Sequence, residues 1–106
     1  MKILFDHGTP APPRRLLAGH TVITAYEMGW AKLDNGDLLE AAENAFDALI
    51  ATDQNLRFQQ NITARKLAIL VLPATSWPRI QKYGSRVAVA VDALRPGDLM
   101  ELRFPQ

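Results

Sequence analysis

The 106-residue chain contains no cysteine. Disulfide frameworks and thiolate zinc sites are therefore excluded. Histidine is scarce: His7 and His20 are too few for a histidine-based zinc centre. Neither sign of charge dominates, since 12 Lys and Arg face 11 Asp and Glu for a formal net charge of +1. That balance argues against a broad electropositive nucleic-acid face but leaves small basic clusters open. Long apolar runs are missing too. The longest, Leu67 to Leu72, is far short of the roughly 20 residues needed to cross a bilayer. Asp6 cuts the first apolar run too early for a signal peptide. Glycine-rich phosphate loops of the GxGxxG or GxxxxGK[ST] type do not occur, nor does a Gly-x-Ser-x-Gly elbow. Nucleotide-cofactor and serine-hydrolase readings drop out. What remains is a single cytoplasmic domain over residues 1–106, with 48% apolar and 22% charged residues, a mixture that suits one soluble core.

The residues that are present alternate between strand and helix patterns. Lys2 to Asp6 is a short apolar run ending in an acid, and Thr21 to Ala25 is rich in β-branched residues; both predict strands. Between them, Pro12 or Pro13 opens a short helix that stops at Gly19. Asp37 and Glu40 have capping-box spacing, so a helix is expected from Asp37 to about Phe46. Leu38, Leu39, Ala42, Ala45 and Phe46 form its apolar stripe; Asp37, Glu40 and Asn44 share another face. Ala48 to Thr52 predicts a third strand. Gln54 to about Gln60 reads as a short helix or ordered loop. Leu67 to Leu72 is apolar at every position, the pattern of a parallel strand buried on both faces. Ser76-Trp77-Pro78 opens a helix running to about Leu94, with Gly84 as a kink point. Arg95-Pro96-Gly97-Asp98 fits a type II turn. In the last strand, Asp98 to Phe104, Met100, Leu102 and Phe104 alternate with Glu101 and Arg103. One face is buried and one is wet, so this is an edge strand and a candidate homodimer contact. The order βαβαβαβαβ predicts a three-layer α/β/α sandwich on a mainly parallel five-stranded sheet.

Ligands of such sheets sit outside the carboxyl ends of the strands, near a switch in strand order. Asp6 ends the first strand and Asp53 follows the third. Asp37 opens the helix leading into the third strand, as a cap, a ligand or both. Carboxylates gathered at a sheet rim suit a hard cation, Mg²⁺ or Mn²⁺, or general acid/base work. Such a cation can activate water and clamp phosphodiester oxygens. Arg14 with Arg15, and Arg57 with Arg65 and Lys66, form small basic groups that are either solvated surface or phosphate contacts. Trp30 and Trp77 read as packing anchors.

Four segments lie in order along the chain: Phe5-Asp6-His7-Gly8-Thr9-Pro10, Gly19-His20-Thr21-Val22, Asn35-Gly36-Asp37-Leu38-Leu39 and Thr52-Asp53-Gln54-Asn55-Leu56. Together they resemble a compact bacterial PIN-like family, toxin-like and similar to VapC-type toxins. The resemblance covers about residues 1–75. It implies a PIN-like fold, a rim of acids that holds Mg²⁺, cleavage of RNA, and a small antitoxin protein as partner. On it, Asp6, Asp37 and Asp53 match the metal-binding acids. Asn55 stands where related sequences often place another acid; it would assist the cation or orient water. Arg14, Arg57 and Arg65 would contact RNA phosphates. The amide at position 55 is a weaker cation ligand than a carboxylate. It also keeps a second expectation in view, a catalytically inactive PIN-like module that binds a protein partner. A phospho-acceptor domain is a third, from Asp53 at the end of the third strand. It has only one acid after the first strand and no lysine after the last.

Overall fold

A computed structural model describes residues 1–56 and 65–105. Five strands form one wholly parallel sheet: β1 (Lys2–Phe5), β2 (Thr21–Thr24), β3 (Ala48–Ala51), β4 (Ala68–Val71) and β5 (Leu99–Glu101), in the order β2-β1-β3-β4-β5. Every expected strand is present, shorter than its apolar run by one to a few residues. Three α-helices connect them: α1 (Asn35–Ala45), α2 (Trp77–Lys82) and α3 (Gly84–Ala93). The Pro12–Leu16 segment is a 3-10 turn with Pro13 buried. Residues 57–60 of the expected third connection, Arg57 among them, lie outside the described residues.

Side-chain alternation divides the core in two. Ile3 and Phe5 of β1, Ile50 of β3 and Leu70 of β4 point to one face, where Leu17, Ile80, Val87 and Val91 cover them. Leu4, Leu49, Ile69 and Val71 point to the other, against Leu38, Leu39, Ala42 and Phe46 of the α1 region. All four residues of β3 and of β4 are buried, as a parallel strand covered on both faces requires. Each fully buried Leu, Ile or Phe contributes about 1.5–3 kcal/mol, so this double burial outweighs any single surface contact. β5 is an edge strand as expected, and Met100, Leu102 and Phe104 turn inward together. Phe104 stacks on Tyr83 with ring centroids 4.7 Å apart. Trp30 packs edge-on against Phe46, which makes it the anchor that its composition implies. The Arg95–Asp98 turn closes with a 3.0 Å bond from Asp98 N to Arg95 O.

The connections have one unusual property. The β1–β2 and β4–β5 crossovers both pass over the face covered by α2, α3 and the 3-10 turn. They run toward opposite edges of the sheet, so they have opposite hands. A left-handed crossover is rare, because strand twist and helix hand favour the right-handed form. Here the two outer connections meet on one face: the 3-10 turn packs on both α2 and α3.

Two helix boundaries differ from those expected. α1 starts one turn early, because Asp34 and not Asp37 is its cap. The Asp34 carboxylate accepts from Asp37 N at 2.8 Å. Asp37 sits three residues in, exposed, where its charge meets the positive helix end. At Gly84 the expected kink is a full break. The Ser76–Leu94 stretch is two helices, broken at Tyr83 (φ −110°, ψ 28°). A Cβ on Gly84 would lie 3.0 Å from a Leu16 methyl, so the missing side chain lets the 3-10 turn approach the junction.

The cap assignment has a direct consequence. Asp34→Ala should cost about 1 kcal/mol, and Asp37→Ala only about 0.3–1 kcal/mol from the lost helix-end charge. Urea denaturation of both variants checks the order; a larger loss in Asp37→Ala would return the cap to that residue.

Candidate active site at the carboxyl rim of the sheet

Strand order switches between β1 and β3. From β1 the chain moves outward to β2, and from β3 it moves the other way to β4. The crevice outside this switch is where such sheets place ligands. Asp6 is the first residue past β1, and Asp53 lies two residues past β3.

Asp6 is held firmly. Its N–H donates to Ile50 O at 3.0 Å, which extends the β1–β3 pairing by one residue. Its Oδ1 accepts from the hydroxyl of Thr9 at 2.6 Å, and that hydroxyl also lies 3.1 Å from Ile50 O. One hydroxyl carries one proton, so the two contacts serve two states. Ionised Asp6 takes the Thr9 proton. Protonated Asp6 can donate to Thr9 Oγ1, which then donates to Ile50 O. Thr9 is the one buried polar residue among those described, and this exchange keeps it satisfied in both states.

Burial pushes the Asp6 carboxyl above its usual range. The Thr9 hydrogen bonds and His7 oppose the rise, and the charge of Asp53 adds to it. Both acids follow the carboxyl ends of paired strands at the switch. Asp53 is fixed in turn by Asn35 Nδ2, 3.2 Å from its Oδ2, and by Asn55 N, 2.9 Å from its Oδ1. Asn55 thus acts through its backbone, in a turn that Asp53 caps.

Gly8 lines the same crevice. A Cβ there would lie 2.7 Å from Thr52 Oγ1 and 4.0 Å from Asp6 Oδ1. The absent side chain lets the Thr52 hydroxyl approach the backbone this closely. Beside it, a cavity of about 290 Å³ runs from Asp6 past His7 and Thr24 to Tyr26 and Glu27. Arg14 forms part of its wall, with its two terminal nitrogens 2.9 and 3.4 Å from the Glu27 carboxylate. The Thr24 N–H, followed by Arg14, holds Glu27 below the usual carboxylate range.

The other expected site residues are distributed differently. Asp37 does not join Asp6 and Asp53: among the described residues no three His, Asp or Glu side chains stand close enough to hold a metal ion together. The helix start supplies Asn35 instead, two residues earlier. The shift of the cap to Asp34 explains this, because it turns Asn35 toward β3 and leaves Asp37 exposed. Arg65 is at the opposite end of the sheet, before β4, where its guanidinium lies 3.6 Å from Glu43. It therefore cannot serve a substrate at the Asp6 rim. Arg57 lies outside the described residues. Of the three arginines, Arg14 alone is shown lining the cavity that Asp6 borders. A larger cavity of about 500 Å³ also lies at the amino ends of the strands, near Phe46, Leu67 and Leu94. It contains neither rim acid.

Two stability measurements test this geometry. Gly8→Ala should destabilise by about 1–3 kcal/mol through overpacking, and Thr52→Ala in the same chain should restore part of the loss. Additive losses in a double-mutant cycle would mean that the two residues do not meet. The second measurement uses pH. The folded chain holds the Asp6 proton more tightly than the unfolded chain, so stability falls as pH rises from the ordinary carboxylate value through the raised one. Asp6→Asn should therefore be more stable than the wild type at neutral pH, with the gain vanishing in acid below both values. Urea midpoints across that range check the sign.

Comparison of the chain with known proteins gives no matching family model, no matching curated protein and no matching solved structure.

Proposed function

We propose that the β1–β3 rim is the active site of a Mg²⁺- or Mn²⁺-dependent ribonuclease. One observation carries the reading: Asp6 and Asp53 follow the carboxyl ends of β1 and β3, the paired strands between which the strand order switches. A carboxylate partly removed from water at the ligand position of such a sheet is a functional arrangement more than a stabilising one.

The donor set fits a hard cation. Asp6 and Asp53 offer carboxylate oxygens at the same rim, and oxygen donors are what a hard cation takes. Mg²⁺ commonly takes one or two carboxylates and completes its shell with water and substrate phosphate, so the separation of Asp37 from the pair is compatible with it. Asp6 and Asp53 would hold the ion. When bound, it would polarise a phosphate oxygen and lower the pKa of a coordinated water.

The chain's own groups have separate tasks. Thr9 orients the Asp6 carboxylate. Asn35 and the Asn55 N–H orient that of Asp53. Arg14 uses two nitrogens on Glu27 and retains other N–H donors for phosphate. RNA as substrate, and a small antitoxin as partner, rest on the resemblance of the motifs around Asp6, Asp37 and Asp53 to toxin-like PIN sequences.

A second reading, a non-catalytic module that binds a protein partner, is favoured by the absence, among the described residues, of three acidic or histidine side chains close enough to share a metal ion. Metal titration separates the two. For the nuclease, millimolar Mn²⁺ should raise the melting temperature of the wild type and support cleavage of single-stranded RNA. Asp6→Asn and Asp53→Asn should each lose both effects while remaining folded. A wild-type protein that neither shifts with Mn²⁺ nor cuts RNA would leave the binding module.

A further inference from the structure

The most exposed large apolar side chain among the described residues is Tyr26, at 81%. It stands in the turn after β2, at the same carboxyl rim as Asp6, and lines the 290 Å³ cavity that begins at that acid. Its ring packs in neither hydrophobic cluster. Trp30, four residues on, is half-buried and packed on Phe46. Fold stability therefore does not explain the aromatic at position 26.

The remaining cavity wall is polar and fixed. Glu27 Oε1 accepts from Thr24 N and from Arg14, each at 2.9 Å, whereas Oε2 has only a 3.4 Å contact from Arg14. Oε2 thus keeps acceptor capacity, and Arg14 keeps N–H donors beyond the two it uses. An open ring with an acceptor and a set of donors at its edge suits a flat ligand that carries both kinds of group on its rim. Unstacked nucleobases are such ligands: proteins bind single-stranded RNA by stacking bases on exposed aromatics and pairing their edges with side chains.

We propose that the cavity between Asp6 and Tyr26 is a nucleobase subsite for single-stranded RNA, with the base on the Tyr26 ring and its edge against Glu27 and Arg14. The proposal names the part of the substrate that the rim would grip, and so rests on the ribonuclease reading. Stacking accepts any base, so the subsite positions the strand beside Asp6 without strong sequence choice. Such a small, aromatic grip also fits a chain of net charge +1, a balance that argues against holding RNA by its phosphates alone.

Metal-free binding of mononucleotides keeps this test apart from catalysis. Amide chemical shifts of Thr24, Tyr26 and Glu27 are followed while uridine and adenosine 5′-monophosphate are added, with ribose 5-phosphate as the base-free control. Both nucleotides should move these signals, and ribose 5-phosphate should bind at least about tenfold more weakly, the scale of one stacked base. Tyr26→Ala should lose the nucleotide shifts, and Tyr26→Trp should keep them; at 81% exposure neither change threatens the fold. Equal binding of ribose 5-phosphate, or unchanged nucleotide binding by Tyr26→Ala, would overturn the subsite. Cleavage of RNA with Mn²⁺ is read separately. Nucleotide shifts at Tyr26 without cleavage uphold the subsite and remove the ribonuclease reading. Cleavage that Tyr26→Ala leaves intact, together with absent nucleotide shifts, removes the subsite alone.

Discussion

A parallel strand is reached only by carrying the chain back over the sheet. The pairing of β1 with β3 therefore forces the intervening chain out to β2 and back across a face. This constraint produces the switch in strand order, the two-sided burial of β1, β3 and β4, and the crevice that receives Asp6 and Asp53. The hydrogen bond from Asp6 N to Ile50 O continues the pairing into that crevice. The first acid is thus fixed by the sheet itself. A side chain anchored through strand backbone is held more precisely than one on a free loop, and the α1 start and the Asn55 turn then hold the second acid beside it.

The same arrangement sets stability against chemistry. The core contributes through stacked apolar residues such as Phe5, Ile50 and Leu70, but the first residue past Phe5 is a carboxylate partly removed from water. Burial and Asp53 both disfavour its charge, and the Thr9 bonds only partly offset them. Sites that bind a cation or move a proton tolerate this tension because the ligand relieves it. The Thr9 hydroxyl, placed between the carboxylate and Ile50 O, lets the site change protonation without leaving a polar atom unpaired.

Most of the fold was legible in the chain because parallel strands leave a strong signal. Ala68–Val71 is apolar throughout since both its faces are covered, and Met100, Leu102 and Phe104 alternate since only one face of β5 is. The helix starts were harder to read. Asp34 and Asp37 are both good caps three residues apart, and spacing favours neither. The backbone decides, because Asp34 is extended (ψ 173°) and Asp37 already helical. At Gly84 the glycine itself signals a kink, but the periodicity runs on through Val87 and Val91, and the Leu16 methyls packed on the junction come from a distant segment. A contact of that kind leaves no local trace.

The sequence by itself determined the class of fold, the five strands, the edge character of the last one, and Asp6 and Asp53 as acids beyond strand ends. Each follows from local pattern: apolar runs, period-two alternation, and charges that stop them. Only the tertiary structure decided which residues join these acids. It brought Asn35 to Asp53 and left Asp37 in solvent. It paired Arg14 with Glu27 beside Asp6, and put Arg65 at the far end of the sheet. The physical reason is that a strand end fixes position along one axis only. Strand order and crossover path fix the other two, and both depend on long-range packing.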